Sequence, residues 1–245
     1  LSRVGWPVTL LQGGYKAYRA HVISELPLLV QQLQFQVVCG VTGSGKTRFL
    51  QALERMGLPV LDLEALANHR GSILGLHPDS SQPSQKRFES LLWEKLHRLP
   101  KGQTIFVESE SRKIGNVQLP EPLIDAIRAS PCIELDLPQA LRVGLLIEDY
   151  CHFLADPAPL LEQLNKLRGL VAHELLDSWT KAVDRKDWEG LVNSLLVDHY
   201  DPSYQRSIQR NFPRIATATK VAIAAIGPAG YEAAASSFLG KRSTS

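Results

Sequence analysis

"CGVTGSGKTRF", Cys39 to Phe49, decides how the rest of the chain is read. It fits G-x-x-x-x-G-K-[ST] at Gly40, Gly45, Lys46 and Thr47. Ordinary composition produces that pattern by chance in roughly one chain in a hundred of this length, so the match points to a phosphate site. Glycines at 40, 43 and 45, with Ser44 among them, let successive main-chain N–H groups turn inward around an anion. Lys46 brings a mobile positive charge and Thr47 a hydroxyl suited to Mg²⁺. The helix expected to begin near Lys46 adds the positive end of its dipole. The phosphate-binding set is therefore Gly40, Gly43, Ser44, Gly45, Lys46 and Thr47. The motif leaves open whether the phosphate belongs to ATP or GTP, to a diphosphate ester or to something rarer.

Working outward, "FQVVCG" reads as a short buried strand entering the loop, and "KTRFLQALERMG" as an amphipathic helix ending at Gly57. "LPVLDLE", "TIFVESE" and "PCIELDL" supply three more strands. Helices are expected over 84–99, 121–129 and 138–153, and 157–196 reads as helix after helix. Strands alternating with helices predict an α/β fold: a P-loop NTPase-like parallel sheet with helices on both faces, then a helical C-terminal part. "SSFLGKRSTS" reads as a frayed tail. Residues 1–32 read as strand, turn and helix, with the strand at Val8–Leu11, too little to bury a core alone. A chain opening at Leu1 in mid-strand looks like the rear part of something longer. The expected organisation is residues 1–32, then 33–235, then a tail at 236–245.

In open α/β sheets ligands sit beyond the carboxyl ends of the strands. Three acidic ends meet that condition: Asp62 and Glu64, Glu108 and Glu110, and Asp136. Asp136 reads as a capping or solvated strand end. Glu108 takes the place where phosphate-loop proteins put the acid that organises metal or water. Lys46, Asp62, Glu64 and Glu108 are thus the candidate catalytic residues. "DLEALANHRGS" packs His69, Arg70 and Ser72 behind those first acids, and "ESESRKIG" places Arg112 past Glu108. Arginine grips phosphate oxygens in a planar fork, which makes Arg70 and Arg112 oxyanion or RNA-phosphate contacts. A lone histidine such as His69 is more often structural, but its near-neutral pKa keeps it in the set. "HYDPSYQRSIQR" sets Arg206 and Arg210 one helical turn apart beside Tyr200 and Tyr204, a pattern for phosphate contact with base stacking, or for a solvated helix face.

Composition narrows the classes. The chain has 245 residues, 44% hydrophobic and 21% charged, with a net charge of +2, so any polyanion site is a local patch. Three scattered cysteines make a poor disulfide framework and fit a reducing cytoplasm. No C-x-x-C or H-x-x-x-H spacing suggests structural zinc. "KVAIAAIGPAG" is too short and too broken to span a bilayer, so no membrane partner is expected.

With these blocks assembled, the chain resembles the bacterial tRNA 2-selenouridine synthases. "GVTGSGKT", "DLEALANHRGS.LG", "QPSQKRFE", "ESESRKIG" and "YDPSY" carry the resemblance in that order, and the long second block is more diagnostic than the loop. "GWPVTLLQGGYKAYR" looks like the final strand and helix of the rhodanese domain that precedes the P-loop domain in that family. The resemblance implies a transferase acting on the wobble 2-thiouridine of tRNA. The sulfur is geranylated from geranyl diphosphate, and selenophosphate then exchanges selenium for it. The rhodanese cysteine of the family lies upstream of "GGYKAYR", and none of Cys39, Cys132 or Cys151 matches it. On this reading Gly40 to Thr47 hold the geranyl diphosphate with Mg²⁺, while His69, Arg70, Arg112, Arg206 and Arg210 face tRNA. Two rivals predict different behaviour. A small-molecule kinase or NTPase would turn over ATP without tRNA; a non-catalytic tRNA-binding fragment would bind with steep salt dependence and make no product. A GTPase is disfavoured by Arg168 in "NKLR", where a guanine-reading acid is expected.

Overall fold

A computed structural model describes residues 5, 7, 11–70 and 81–242. The expected strand at Val8–Leu11 and the candidate Ser72 fall at least partly outside them. The chain runs α1 (Gly14–Val30), β1 (Gln34–Cys39), α2 (Lys46–Arg55), β2 (Val60–Leu61), α3 (Leu63–Ala67), α4 (Gln85–Arg98) and β3 (Thr104–Glu108). A small hairpin of β4 (Lys113–Ile114) and β5 (Val117–Gln118) leads to α5 (Glu121–Ala129) and β6 (Cys132–Asp136). Next come α6 (Gln139–Asp149), α7 (His152–Ala155), α8 (Ala158–Asn165), α9 (His173–Asp184) and α10 (Trp188–Ser194). A π-helical turn (Leu195–Tyr200) feeds α11 (Asp201–Asn211), a 3₁₀ turn (Pro213–Thr217), β7 (Thr219–Ala222) and α12 (Pro228–Arg242).

Five strands form one parallel sheet in the order β2-β3-β1-β6-β7. The fold class read from the sequence is the observed one. β1 is central and buried from Phe35 to Cys39, as a strand covered on both faces must be. It pairs with β3 on one side, Val38 opposite Glu108, and with β6 on the other, Cys39 opposite Glu134. The strand order therefore reverses beside β1, and the glycine loop leaves the sheet at that reversal.

Two apolar layers sandwich the sheet. On one side α1, α4 and α5 contribute Val22, Leu26, Phe88, Leu92, Leu123 and Ile127. On the other, α2, α6 and α12 contribute Phe49, Leu53, Leu145, Tyr231 and Phe238. A third, smaller cluster lies wholly within α7 to the π turn, around Phe153, Trp179 and Leu191. The stretch before β1 shares the first layer: Arg19 is ion-paired with Glu89 and bonded to Ser90 of α4. Among the described residues no helix is long and apolar enough to cross a membrane.

Several boundaries differ from the sequence reading. β2 stops at Leu61 because Asp62 turns outward to cap α3, accepting from Ala65 N at 2.8 Å. The helix expected over 138–153 breaks at Tyr150, whose ring stacks on Phe153 (centroids 5.9 Å, planes 2° apart). The anticipated tail at 236–245 is a correction for its described part: α12 continues to Arg242, because Phe238 is buried against Phe106 and holds the last turns down.

Candidate functional site

The loop between β1 and α2 is shaped by what packs around it. Gly45 has φ 76°, and a Cβ there would run into the ring of fully buried Tyr231. Gly43 has φ 78° and lies against Leu146 of α6. Tyr231 Oη donates to Ser44 O at 3.3 Å from α12 below. From α11, Tyr204 Oη accepts the Gly40 N–H at 2.8 Å. Arg142, buried on α6, donates from Nε to Thr42 O at 3.0 Å and grips Asp201 with both terminal nitrogens, at 2.9 and 2.5 Å. Three helices far apart in sequence thus hold one turn.

Lys46 Nζ donates to Gly40 O at 3.1 Å, so the ammonium folds over the turn that the amides line. Thr47 Oγ1 donates to Glu64 Oε2 at 2.8 Å. A single cleft is lined by Thr42, Gly43, Gly45, Lys46 and Thr47 of the loop. Asp62, Glu64, His69, Arg70 and Glu110 form its acidic and basic wall, and Ser203, Tyr204 and Ser207 of α11 face them. Gly40 and Ser44 are buried within the turn.

Burial governs the carboxylates. Glu64 is pushed above the usual range by desolvation, with Lys46 and the Thr47 hydroxyl opposing. Glu110 is pushed up to about 8 by burial first and by the charge of Glu64 next. Asp62 is raised by burial, partly offset by its bond from Ala65 N. Glu108 is raised well above the usual range by burial and by the neighbouring Asp62, Glu64 and Glu110. It does not line the cleft. Its Oε1 accepts from Leu63 N (2.6 Å) and Glu64 N (2.8 Å), which makes it the anchor of the α3 N-terminus. Glu108 thereby fixes where Glu64 points.

The structure gathers Lys46, Thr47, Asp62, Glu64, His69 and Arg70 at one place. Arg70 Nη1 donates to Asp149 O at 2.5 Å and its guanidinium lies over the Tyr150 ring at 5.0 Å. Arg112 sits exposed at the start of the β4–β5 hairpin, away from the cleft lining. Arg206 and Arg210 are exposed on α11; helical spacing puts them on the stripe next to Ser203 and Ser207, flanking the cleft. Sequence reasoning gave no role to Arg128, Arg142 or Tyr231, and none beyond a strand-end position to Glu110. Glu110 was visible as the second acid after β3; Arg128, which lines the cleft from the end of α5, carried no signal.

A family model described as the tRNA 2-selenouridine synthase AAA domain matches residues 33–169. A tRNA 2-selenouridine synthase of Alcanivorax borkumensis is 33% identical over 241 residues, 86% of this chain and 64% of its own length. Its counterpart in Nitrosomonas europaea is 41% identical over 254 residues, covering 86% of this chain and 66% of its own. The chain therefore spans about two thirds of the length of the curated relatives it matches. A gluconokinase crystal structure from Sinorhizobium meliloti aligns over 86% of this chain and 93% of its own at TM-score 0.33 and 14% identity, too slight a likeness to argue from.

Proposed function

The chain belongs to the tRNA 2-selenouridine synthase family, and from that premise we propose that its glycine loop serves prenyl transfer to a tRNA thiocarbonyl. In this reading the loop amides and Lys46 hold the diphosphate of geranyl diphosphate. The sulfur of a wobble 2-thiouridine attacks the first carbon of the geranyl group; the carbon–oxygen bond breaks and diphosphate leaves. Charge building on that leaving group meets the amides, the α2 dipole and the Lys46 ammonium, a preorganised electrostatic stabilisation. S-alkylation releases the N3 proton of the base, and Glu110, raised by burial toward neutrality, is the cleft carboxylate suited to accept it. Selenophosphate then attacks the S-geranyl carbon of the base through selenium, geranylthiol leaves, and water cleaves the Se–P bond to release phosphate.

Thr47 Oγ1 and Glu64 Oε2, 2.8 Å apart, form an oxygen-only donor pair that fits Mg²⁺. Bound there, the ion would neutralise part of the diphosphate charge. Arg70 in the cleft, with Arg206 and Arg210 on its flank and Arg112 on the hairpin, is assigned to the tRNA backbone. On this reading the protein acts on tRNA in the cytoplasm. Residues 1–32 are assigned as the end of a rhodanese domain, docked on α4 and α5 through α1.

One observation carries the proposal: the glycine loop, Lys46 and the acid-base wall share a single cleft. The test is to incubate the chain with thiolated tRNA and geranyl diphosphate and weigh the nucleosides. S-geranyl-2-thiouridine is expected, and Lys46→Ala should lower its yield at least about 100-fold. Undiminished geranylation by Lys46→Ala would refute the loop assignment.

A further inference from the structure

Beside the phosphate cleft the helical subdomain leaves a second hollow that the reading above does not use. Its cavity volume is about 60 Å³, a narrow slot beside the phosphate cleft of about 680 Å³. Leu146, Phe153, Leu160, Trp188, Leu191 and Val192 wall it, from α6 to α10, and its lining is almost wholly apolar. The two hollows adjoin. Thr42, Leu146, Tyr150 and Tyr200 line both, and Thr42 belongs to the glycine loop.

We infer that this hollow is the site of the prenyl chain and that its depth sets which chain length is accepted. A ligand spanning both hollows must have a phosphate head at Lys46 and an apolar tail beyond Leu146. A nucleotide is a poor fit to that demand. Its base carries ring nitrogens and an exocyclic group that would be stripped of water against Leu, Phe and Trp without partners. An aliphatic tail has no such groups, and its burial is favourable in proportion to the apolar area covered. The walls also explain themselves on this reading. α7 to α10 form a cluster separate from the sheet's two layers, and Thr42 of the glycine loop lines the gap beside it.

The inference rests on the loop holding a diphosphate, so the experiment separates the two. The full chain is titrated calorimetrically with inorganic pyrophosphate and with geranyl diphosphate, each with Mg²⁺. Geranyl diphosphate should bind about 100-fold more tightly than pyrophosphate, since the tail adds apolar burial to a shared head. It should also change the fluorescence of Trp188, a change that Trp188→Phe removes and that pyrophosphate does not produce. Val192 is half-exposed at the wall, so Val192→Trp fills the hollow from a tolerant position. That variant should retain pyrophosphate affinity, lose most of the geranyl advantage and shift preference toward the five-carbon dimethylallyl diphosphate. Leu154→Asn, at the rim, should weaken geranyl binding in the same selective way. Equal affinity of the wild type for pyrophosphate and geranyl diphosphate would overturn the pocket and leave the loop assignment standing. A Val192→Trp chain with the wild-type chain-length preference would do the same. Failure to bind pyrophosphate at all would overturn both.

Discussion

Replacing Arg142 with methionine tests whether the glycine loop is held from outside. The side chain is 6% exposed and its partner Asp201 is 22% exposed, so the substitution leaves a carboxylate largely out of water with no counter-charge. Breaking a buried pair from one side costs about 3–5 kcal/mol, and the partial exposure of Asp201 puts this case at the lower end. Thr42 O also loses its donor, worth about 1 kcal/mol. We expect a loss of about 3–4 kcal/mol in urea unfolding at pH 7, which for a chain of this size lowers Tm by about 10 °C. The double variant Arg142→Met with Asp201→Leu should recover most of that loss, because apolar groups of similar volume replace a fully removed ion pair. Pyrophosphate affinity should fall in the single variant, since α11 also carries Tyr204 to Gly40 N. A single-variant cost below about 1 kcal/mol, or no recovery in the double, would refute the account.

Glu110→Gln should flatten the pH dependence of stability. The folded pKa of about 8 lies above the ordinary value of 4.5, so the folded state binds the extra proton and stability falls as pH rises between those values. The variant should match the wild type near pH 4 and exceed it by a few kcal/mol at pH 9; parallel urea profiles would contradict this. Tyr204→Phe removes the acceptor for Gly40 N–H and should cost about 1–2 kcal/mol with the circular dichroism unchanged. Arg206→Ala and Arg210→Ala should each reduce the slope of log tRNA affinity against log salt by about 1, with no effect on pyrophosphate binding.

The parts of this molecule that could be read along the chain are those whose cause is local. The glycine loop, the buried run of β1 and the apolar stripe of α4 each announce themselves within a dozen residues, because periodicity and turn chemistry act at that range. β7 escaped notice because "TKVA" is an edge strand with one buried side chain, Val221. The β4–β5 hairpin has two residues on each side, too few to show alternation. In the site, Lys46, Thr47, Glu64 and Arg70 follow from motif and strand-end position. The roles of Arg142, Tyr204 and Tyr231 depend on tertiary approach, across 100, 164 and 187 positions, and no local pattern encodes them. Glu108 shows both sides: its strand-end position was legible, but its use as an anchor for two amides of α3 was not.

The tyrosine beneath Gly45 has a bearing on how the protein is made. Ser44 and Tyr231 are 187 residues apart, and a ribosome adding about 5–20 residues per second needs roughly 10–40 s to travel between them. During that interval the nascent chain carries a glycine turn without the ring that underlies it, although Arg142 and Tyr204 emerge earlier. Completing the support of the turn thus becomes a late event in biogenesis, which waits until α12 has left the exit tunnel.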